Sequence, residues 1–395
     1  MDYLVTPAPE LMSRIKKLQV KLLENNLDGV LLTKNVEIYY YSGTMQNSLL
    51  FIPDNGEPIL FVKKSVERAR EETPFAVEPM TSMKHLPDQI VGKGYNLAKL
   101  GTELDVLPYN QFMRLQKVFA NSTFTDISWI TRLQRSVKSP HEIELLRNTA
   151  RVLDQAFAEV PNILKVGMRE VDLSSAIEKL IRDLGHSGYM RTRAYNMELV
   201  LGMVASGEMA ARATSFDGPA GGQGLSPAMP QSAGFKQIER NEPIIIDIGA
   251  MVNGYIVDQT RIAVIGQLDK ELENAYQVSL KIINETMKNA KSGTLWSEHY
   301  RNALRIVEEA GLQEHFMGYK HDQAKFLGHG VGLELDELPV LANGLDFSLE
   351  EGMVIAIEPK FTFPNNGVVG IENTYLVTEE GLESFSFAPE EIIRL

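Results

Sequence analysis

Four acidic residues and one histidine stand in or beside apolar, strand-like runs of the chain: Asp247, Asp258, His329, Glu358 and Glu372. A set rich in carboxylate oxygens with a single imidazole favours divalent ions such as Mn²⁺, Co²⁺ or Zn²⁺ over a tetrahedral structural zinc site. Two such ions about 3.5–4 Å apart can acidify a bridging water and produce hydroxide near neutral pH. The residue types therefore indicate a hydrolytic centre with two divalent metal ions.

The two aspartates lie on either side of Asn253-Gly254, the strongest short signal for a β-hairpin. A two-residue turn at this point places Asp247 opposite Thr260. It also places Asp258 opposite Gly249, so that the two aspartates become diagonal neighbours on one face of the hairpin. Two carboxylates that close repel each other unless a proton or a cation lies between them.

A second hairpin is predicted around Asn365, between the two glutamates. A loop with an odd number of residues centred on Asn365 places Glu358 directly opposite Glu372, whereas an even loop places them on opposite faces. His329 lies between two glycines, and these let a backbone segment or a ligand approach closely. All five side chains can therefore converge on one buried site.

These segments resemble the metallopeptidase family of Xaa-Pro aminopeptidase, prolidase and methionine aminopeptidase. The resemblance is carried by residues 247–261, the Gly-His-Gly-Val-Gly segment 328–332, Ile-Glu-Pro at 357–359 and Ile-Glu-Asn-Thr at 371–374. It implies an α+β chain with a C-terminal pita-bread domain of the creatinase/aminopeptidase type. It also implies a smaller α/β N-terminal domain of the creatinase type.

The resemblance also implies a role for each residue. Asp247 would bind one metal ion, and Asp258 and Glu372 would bridge both. His329 and Glu358 would hold the other ion, and Glu358 would also act as the general acid/base. The implied reaction is cleavage of Xaa-Pro dipeptides, or of N-terminal Xaa-Pro in small peptides, by a metal-bridging hydroxide. Mn²⁺ is the expected ion, with Co²⁺ or Zn²⁺ as alternatives.

Two histidines that line the substrate cleft in this family have no counterpart at the matching positions. Asp336 stands seven residues after His329, where the family usually has one of them. The other, upstream of Asp247, is replaced by a Gly-, Pro- and Ser-rich loop at residues 215–235. An aspartate cannot donate a hydrogen bond as an imidazole does unless it is protonated. The candidates for additional catalytic groups are therefore Asp336, by its position, and His321, which could supply an imidazole.

Polar groups near the predicted cleft supply further candidates, namely Asp217 within the loop and three arginines that could hold a substrate carboxylate: Arg191, Arg193 and Arg212. The altered cleft leaves two alternatives to a peptidase. One is the same metal site acting on a non-peptide substrate, as a lyase or an amidohydrolase. The other is a non-catalytic metal-binding pseudopeptidase.

The elements that must position these residues form two predicted domains, residues 1–133 and 134–395. The first alternates strands with helices and includes a hairpin from Ser48 to Val62. The second opens at Ser139-Pro140, where a serine cap, a proline at the first helical position and Glu142 form a capping box.

Composition narrows the class of protein. The 395 residues include no cysteine, which excludes disulfides, thiolate metal sites and cysteine nucleophiles. A net charge of −13 makes a nucleic acid or an anionic membrane a poor partner. No apolar run approaches the ~20 residues of a membrane helix, and no signal-peptide pattern is present. We therefore expect a cytoplasmic protein, a homodimer by the family resemblance, with a small peptide or peptide-like substrate.

Overall fold

The computed structural model describes residues 3–199, 201–216 and 218–395. The chain divides into two compact units, Met1–Arg135 and Ser136–Leu395, two residues beyond the predicted boundary. Within the described residues, no helix combines the length and the apolar character needed to cross a membrane.

The first unit is built on one mixed sheet with the strand order β4-β3-β2-β1-β5-β6. Its strands are β1 Gly29–Leu32, β2 Ser48–Pro53, β3 Ile59–Val62, β4 Ala76–Pro79, β5 Lys99–Thr102 and β6 Thr123–Asp126. Its helices are α1 Ala8–Glu24, α2 Asn35–Ser42, α3 Val66–Glu72, α4 Leu86–Gly92, α5 Tyr109–Val118 and α6 Ser128–Ser136, which ends at the boundary. The predicted hairpin is confirmed, because β2 and β3 pair antiparallel.

The described residues of the second unit form three sheets, with the orders β17-β9-β8-β7, β11-β10-β12-β15-β16 and β13-β14. Its helices are α7 Pro140–Ile163, α8 Glu170–Asp183, α9 Gly207–Ala210, α10 Lys270–Asn289 and α11 Trp296–Glu309. Its strands are β7 Gly202–Ser206, β8 Ile244–Val252, β9 Tyr255–Val264, β10 Phe326–Gly330, β11 Glu337–Ala342, β12 Val354–Ile357, β13 Lys360–Phe363, β14 Gly367–Gly370, β15 Asn373–Val377, β16 Leu382–Ser384 and β17 Ile393–Arg394. The capping box at Ser139 is present as predicted.

The hairpin of β8 and β9 has the predicted register. Asp247 pairs with Thr260, and Gly249 pairs with Asp258. Its turn, Asn253-Gly254, has φ values of 51° and 87°, the left-handed conformation that a tight two-residue turn requires. This turn chemistry fixes the register and places both aspartates on one face.

The second hairpin follows the odd-loop alternative. In the β13–β14 pair Phe363 lies opposite Gly367, and in the β12–β15 pair Ile357 lies opposite Asn373. Both pairs continue one register across the break between the strands. Glu358 and Glu372 occupy that break, facing each other as the odd loop requires.

Candidate metal centre

The structure brings the five predicted ligand residues together, all of them on the strands of two sheets or directly at the ends of those strands. The ligand atoms of Asp258, His329 and Glu372 all lie within 4.8 Å of one another. The ligand atoms of Asp247, Glu358 and Glu372 form a second group of the same size. All except Asp247 are buried. Glu372 belongs to both groups, which is the position a bridging carboxylate takes.

His329 on β10 is oriented so that Nε2 faces the carboxylates. Its Nδ1 lies 3.0 Å from the carbonyl oxygen of Leu335 and 3.1 Å from that of Gly330. A carbonyl oxygen only accepts hydrogen bonds, so Nδ1 is the donor, and in a neutral imidazole the lone pair would be on Nε2. Nε2 lies 3.6 Å from Glu358 Oε1 and 3.9 Å from Glu372 Oε1. This tautomer is the one that a metal-binding histidine needs.

Sequence reasoning missed a sixth member of the site, Lys360 at the start of β13. Its Nζ lies 2.9 Å from Asp247 Oδ2, and its side chain is fully buried. It also lies 2.7 Å from Glu358 Oε2 and 2.8 Å from Glu372 Oε2. The signal was present in the sequence, because side chains two residues apart in a strand share a face and Lys360 follows Glu358 by two.

Gly370 makes room for this lysine. It pairs with Lys360 across the hairpin. A Cβ atom at position 370 would lie 2.6 Å from Lys360 Cα and 2.7 Å from Lys360 Cγ, inside van der Waals contact. The glycine therefore lets the strands approach closely enough for the ammonium to reach all three carboxylates.

The two groups of ligand atoms differ in how well they fit a metal ion. Glu372 Oε2 accepts hydrogen bonds from Lys360 Nζ and from Thr260 Oγ1 at 2.9 Å. Glu372 Oε1 is buried and has no hydrogen-bond partner among the described residues. A buried carboxylate oxygen left without a partner is unfavourable, so this atom fits a cation. The group of Asp258, His329 and Glu372 thus fits a divalent ion. The second group, Asp247, Glu358 and Glu372, already contacts an ammonium. Of the two expected ions, the residues present fit only the one on the first group.

Burial and mutual repulsion set the proton affinities of the site. Burial, followed by the charges of Glu372 and Asp247, raises the pKa of Asp258 well above its usual value. Burial opposes protonation of His329, but the carboxylates, Asp336 first, outweigh it and raise its pKa to about 9. Both shifts show a site that is short of positive charge without a bound ion.

All five predicted ligand residues line a pocket of about 570 Å³, a volume that includes the solvent at its mouth. Apolar side chains make up much of its wall, among them Leu199, Met203, Phe216, Pro219, Phe326 and Leu335. Among its described residues, the Gly-, Pro- and Ser-rich loop at residues 215–235 contributes five to the lining: Phe216, Gly218, Pro219, Ala220 and Gln231. This loop is therefore part of the site, in the region that was expected to hold one of the two cleft histidines.

The remaining catalytic candidates have different positions. Asp336 lines the pocket, and its Oδ1 lies 3.6 Å from Nδ1 of His329. The structure does not bring His321 to the site, because its side chain is 88% exposed and faces Asp322. His321 lies in a short 3₁₀ turn, Lys320–Asp322, that precedes β10, and it is not among the described residues that line the pocket. Asp217 lies outside the described residues.

The three arginines are not among the described residues that line the pocket. Arg193 forms a buried ion pair with Glu334 at 3.6 Å, and Arg191 donates to the carbonyl of Gly254. Arg212 is exposed and contacts Met209. The expectation that they hold a substrate carboxylate has no support in this arrangement.

The glycines beside His329 admit neighbouring backbone, and this gives a testable expectation. A Cβ at Gly328 would lie 2.1 Å from the carbonyl oxygen of Ala356 on β12. Gly328→Ala is therefore expected to separate β10 from β12, to lower the melting temperature and to weaken metal binding, as calorimetry and metal analysis would show. Gly92→Ala is the control, because nothing lies within 4 Å of its added Cβ. Equal stability and metal content in both variants would contradict this account.

Known proteins share this architecture. Residues 144–379, more than half of the chain, match the model of Metallopeptidase family M24, and residues 14–137 match the Creatinase/Prolidase N-terminal domain. An Xaa-Pro dipeptidase of Pyrococcus horikoshii is 28% identical over 306 residues, 77% of this chain and 78% of the relative. One from Pyrococcus furiosus is 29% identical over 320 residues, 80% of this chain and 81% of the relative.

Solved structures agree with this similarity. The prolidase from Pyrococcus horikoshii matches with a TM-score of 0.81 at 27% identity, covering 96% of this chain and 100% of that chain. An Xaa-Pro dipeptidase from Bacillus anthracis matches with a TM-score of 0.83 at 26% identity, covering 98% and 100%. The predicted fold class, a creatinase-type N-terminal domain followed by a pita-bread domain, is confirmed, and so is the prediction of a metallopeptidase-type enzyme. The chain belongs to metallopeptidase family M24.

Proposed function

We propose that this protein is a divalent-metal-dependent hydrolase that cleaves Xaa-Pro amide bonds in dipeptides or at the N-terminus of small peptides. The observation that carries the proposal is the convergence of five ligand residues in the lining of one pocket. The Xaa-Pro dipeptidases among its relatives support the substrate class.

Asp258, His329 and Glu372 would hold the ion, and Mn²⁺ is proposed because two of the three ligands are carboxylates. A divalent ion there would supply a Lewis acid that polarises a carbonyl and acidifies water. Glu358 is the proposed general acid/base, since its Oε1 lies 3.6 Å from His329 Nε2, on the side of the ion. The two-ion mechanism with a bridging hydroxide would require a second ion to displace the Lys360 ammonium from Asp247 and Glu358.

The pocket wall favours one kind of peptide. Its apolar side chains suit a proline ring and an apolar neighbour. The described lining residues include no lysine or arginine, so a substrate carboxylate would find no ionic partner there. An α-ammonium group would find Asp336. We therefore favour N-terminal Xaa-Pro of peptides longer than two residues over free dipeptides.

The test compares proline-containing substrates on one metal-loaded preparation. Xaa-Pro dipeptides and Xaa-Pro-Yaa tripeptides are incubated with Mn²⁺-loaded protein, with metal-stripped protein and with His329→Ala, and the released residues are quantified. The proposal predicts release by the loaded protein alone, faster for tripeptides. The absence of release from every substrate, with bound metal verified, would refute it.

The acidic pocket also favours a second candidate, hydrolysis of the amide of a small cationic compound that is not a peptide. The carboxylates of Asp336 and Glu358 line the pocket, and neither usual cleft histidine is present at its matching position. A panel of amides with and without an ammonium group tests it, and turnover of peptides alone would exclude it. A lyase reaction at the same metal site stays a further alternative.

Two properties of the whole protein complete the proposal. A homodimer is proposed from the family resemblance, and light scattering of the purified chain measures its mass directly. A cytoplasmic location is proposed because the absence of cysteine suits a reducing compartment. Fluorescence of a tagged chain in its host cell checks it.

A further inference from the structure

Lys360 lies where a cation is required, and its contacts are those of an ion rather than of a packing residue. Nζ is within 2.9 Å of oxygens from three different carboxylates, and the side chain is fully buried. These carboxylates, Asp247, Glu358 and Glu372, are the same three whose ligand atoms form one of the two candidate metal groups. The ammonium of a lysine carries a full positive charge at neutral pH.

We propose that the ammonium of Lys360 permanently replaces one of the two metal ions, so that the site binds a single divalent ion on Asp258, His329 and Glu372. This inference rests on the proposed function only in requiring that a divalent ion binds.

The shared carboxylate shows how the two cations divide the site. Glu372 presents Oε2 to Lys360. Its Oε1 lies on the side of His329, 3.9 Å from Nε2, and has no hydrogen-bond partner in the part of the chain that the structure describes. One carboxylate thus bridges an ammonium and a metal position, as it would bridge two metal ions. Both oxygens of Glu358 are divided in the same way, with Oε2 on Lys360 and Oε1 facing His329.

The surrounding chain is built to admit the lysine. Gly370 opposite Lys360 has no Cβ, and one placed there would lie 2.7 Å from Lys360 Cγ. The hairpin register carries Lys360 onto the face of Glu358, since the two are separated by one residue in extended chain. The ammonium is therefore held by the fold, and no exchange with solvent ions removes it.

The experiment measures the number of Mn²⁺ ions per chain at saturation, by elemental analysis of the dialysed protein. The wild-type chain is expected to hold one ion. Lys360→Ala removes both the charge and the stem, so it is expected to hold two. Lys360→Met removes the charge but fills the space, and it is expected to hold no more than one. Two ions in the wild-type chain, or none, would overturn the proposal, and so would one ion in a folded Lys360→Ala variant.

Two further variants locate the ions. His329→Ala is expected to lose the ion of the wild-type chain, and Lys360→Ala with His329→Ala is expected to keep one ion on Asp247, Glu358 and Glu372. Lys138→Ala is the matched control, because Lys138 is a buried lysine paired with Glu337 at 2.8 Å, and its loss should leave the count at one. If Lys360→Ala does not fold, the count in the wild-type chain decides between one ion and two.

The result is separable from the failure of the proposed function. One ion per chain without Xaa-Pro cleavage would support the ammonium replacement and refute the substrate. Two ions per chain with Xaa-Pro cleavage would refute the ammonium replacement and support the substrate. Magnetic coupling between paired Mn²⁺ ions gives a second readout, expected in Lys360→Ala and absent from the wild-type chain.

Discussion

Glu358→Gln is expected to lower kcat by about 10²–10⁴-fold on any substrate that the wild-type protein hydrolyses. The amide keeps the shape of the carboxylate and can still accept a hydrogen bond from Lys360, which now lies 2.7 Å from Oε2. It cannot take up a proton and pass it to a leaving nitrogen. KM should change much less than kcat, because the pocket wall is unaltered. Steady-state kinetics on the best substrate measures both constants.

The control for Glu358→Gln must remove a buried carboxylate charge that lies outside the metal centre. Glu37 in the first unit is fully buried and pairs with Arg135 at 2.9 Å, so Glu37→Gln imposes a comparable change elsewhere. We expect Glu37→Gln to lose stability and to keep its kcat. A Glu358→Gln variant with bound metal and a kcat within about tenfold of wild type would contradict the assigned role.

Lys360→Met is expected to destabilise the metal-free protein by about 3–5 kcal/mol, the usual effect of removing one partner from a buried ion pair. The three carboxylates of Asp247, Glu358 and Glu372 would remain close together with no cation between them. Methionine preserves the length of the stem, so that the loss reports charge rather than a cavity. Denaturant unfolding of the metal-stripped variant and wild type gives the difference in the free energy of unfolding.

The stability that Lys360→Met loses relative to wild type should increase with pH. Burial already raises the pKa values of Asp247, Asp258 and Glu358 in the folded protein, and the loss of the ammonium would raise those of Asp247 and Glu358 further. A carboxyl group with a raised folded pKa holds more protons when folded than when unfolded. The free energy of unfolding is unaffected by such a group below its unfolded pKa of about 4, and it falls as the pH rises toward and through the folded pKa. The difference between Lys360→Met and wild type should therefore be small near pH 4–5 and grow toward pH 8.

Lys138→Met serves as the control, since it also removes a buried lysine from a carboxylate but lies outside the metal centre. Added Mn²⁺ is expected to recover more stability in Lys360→Met than in this control, because only in the former does the ion on Asp258, His329 and Glu372 lie beside carboxylates that have lost their ammonium. A deficit for Lys360→Met that is constant from pH 4 to pH 8 would show that the lost stability is not electrostatic.

The sequence by itself determined the features that depend on local geometry. The turn Asn253-Gly254 fixed the register that places Asp247 and Asp258 on one face, because only one hairpin geometry suits a two-residue turn of that type. The five ligand residues could also be named from the sequence, because their residue types suit divalent ions and they lie in or beside strand-like runs. The number of loop residues around Asn365 was left open, because a longer turn allows either parity.

Only the tertiary structure decided how the charges of the site are balanced. Whether Lys360 points toward solvent or into the carboxylates depends on the approach of β8, β9 and the β13–β14 hairpin, which are far apart along the chain. The same holds for His321, which is near His329 in sequence but lies outside the pocket. The loop at residues 215–235 joins the pocket wall through contacts with distant strands, such as Thr362 Oγ1 donating to the carbonyl of Pro219 at 2.7 Å. Local sequence fixes which face a side chain takes on its own strand, but packing between strands decides which charges meet there.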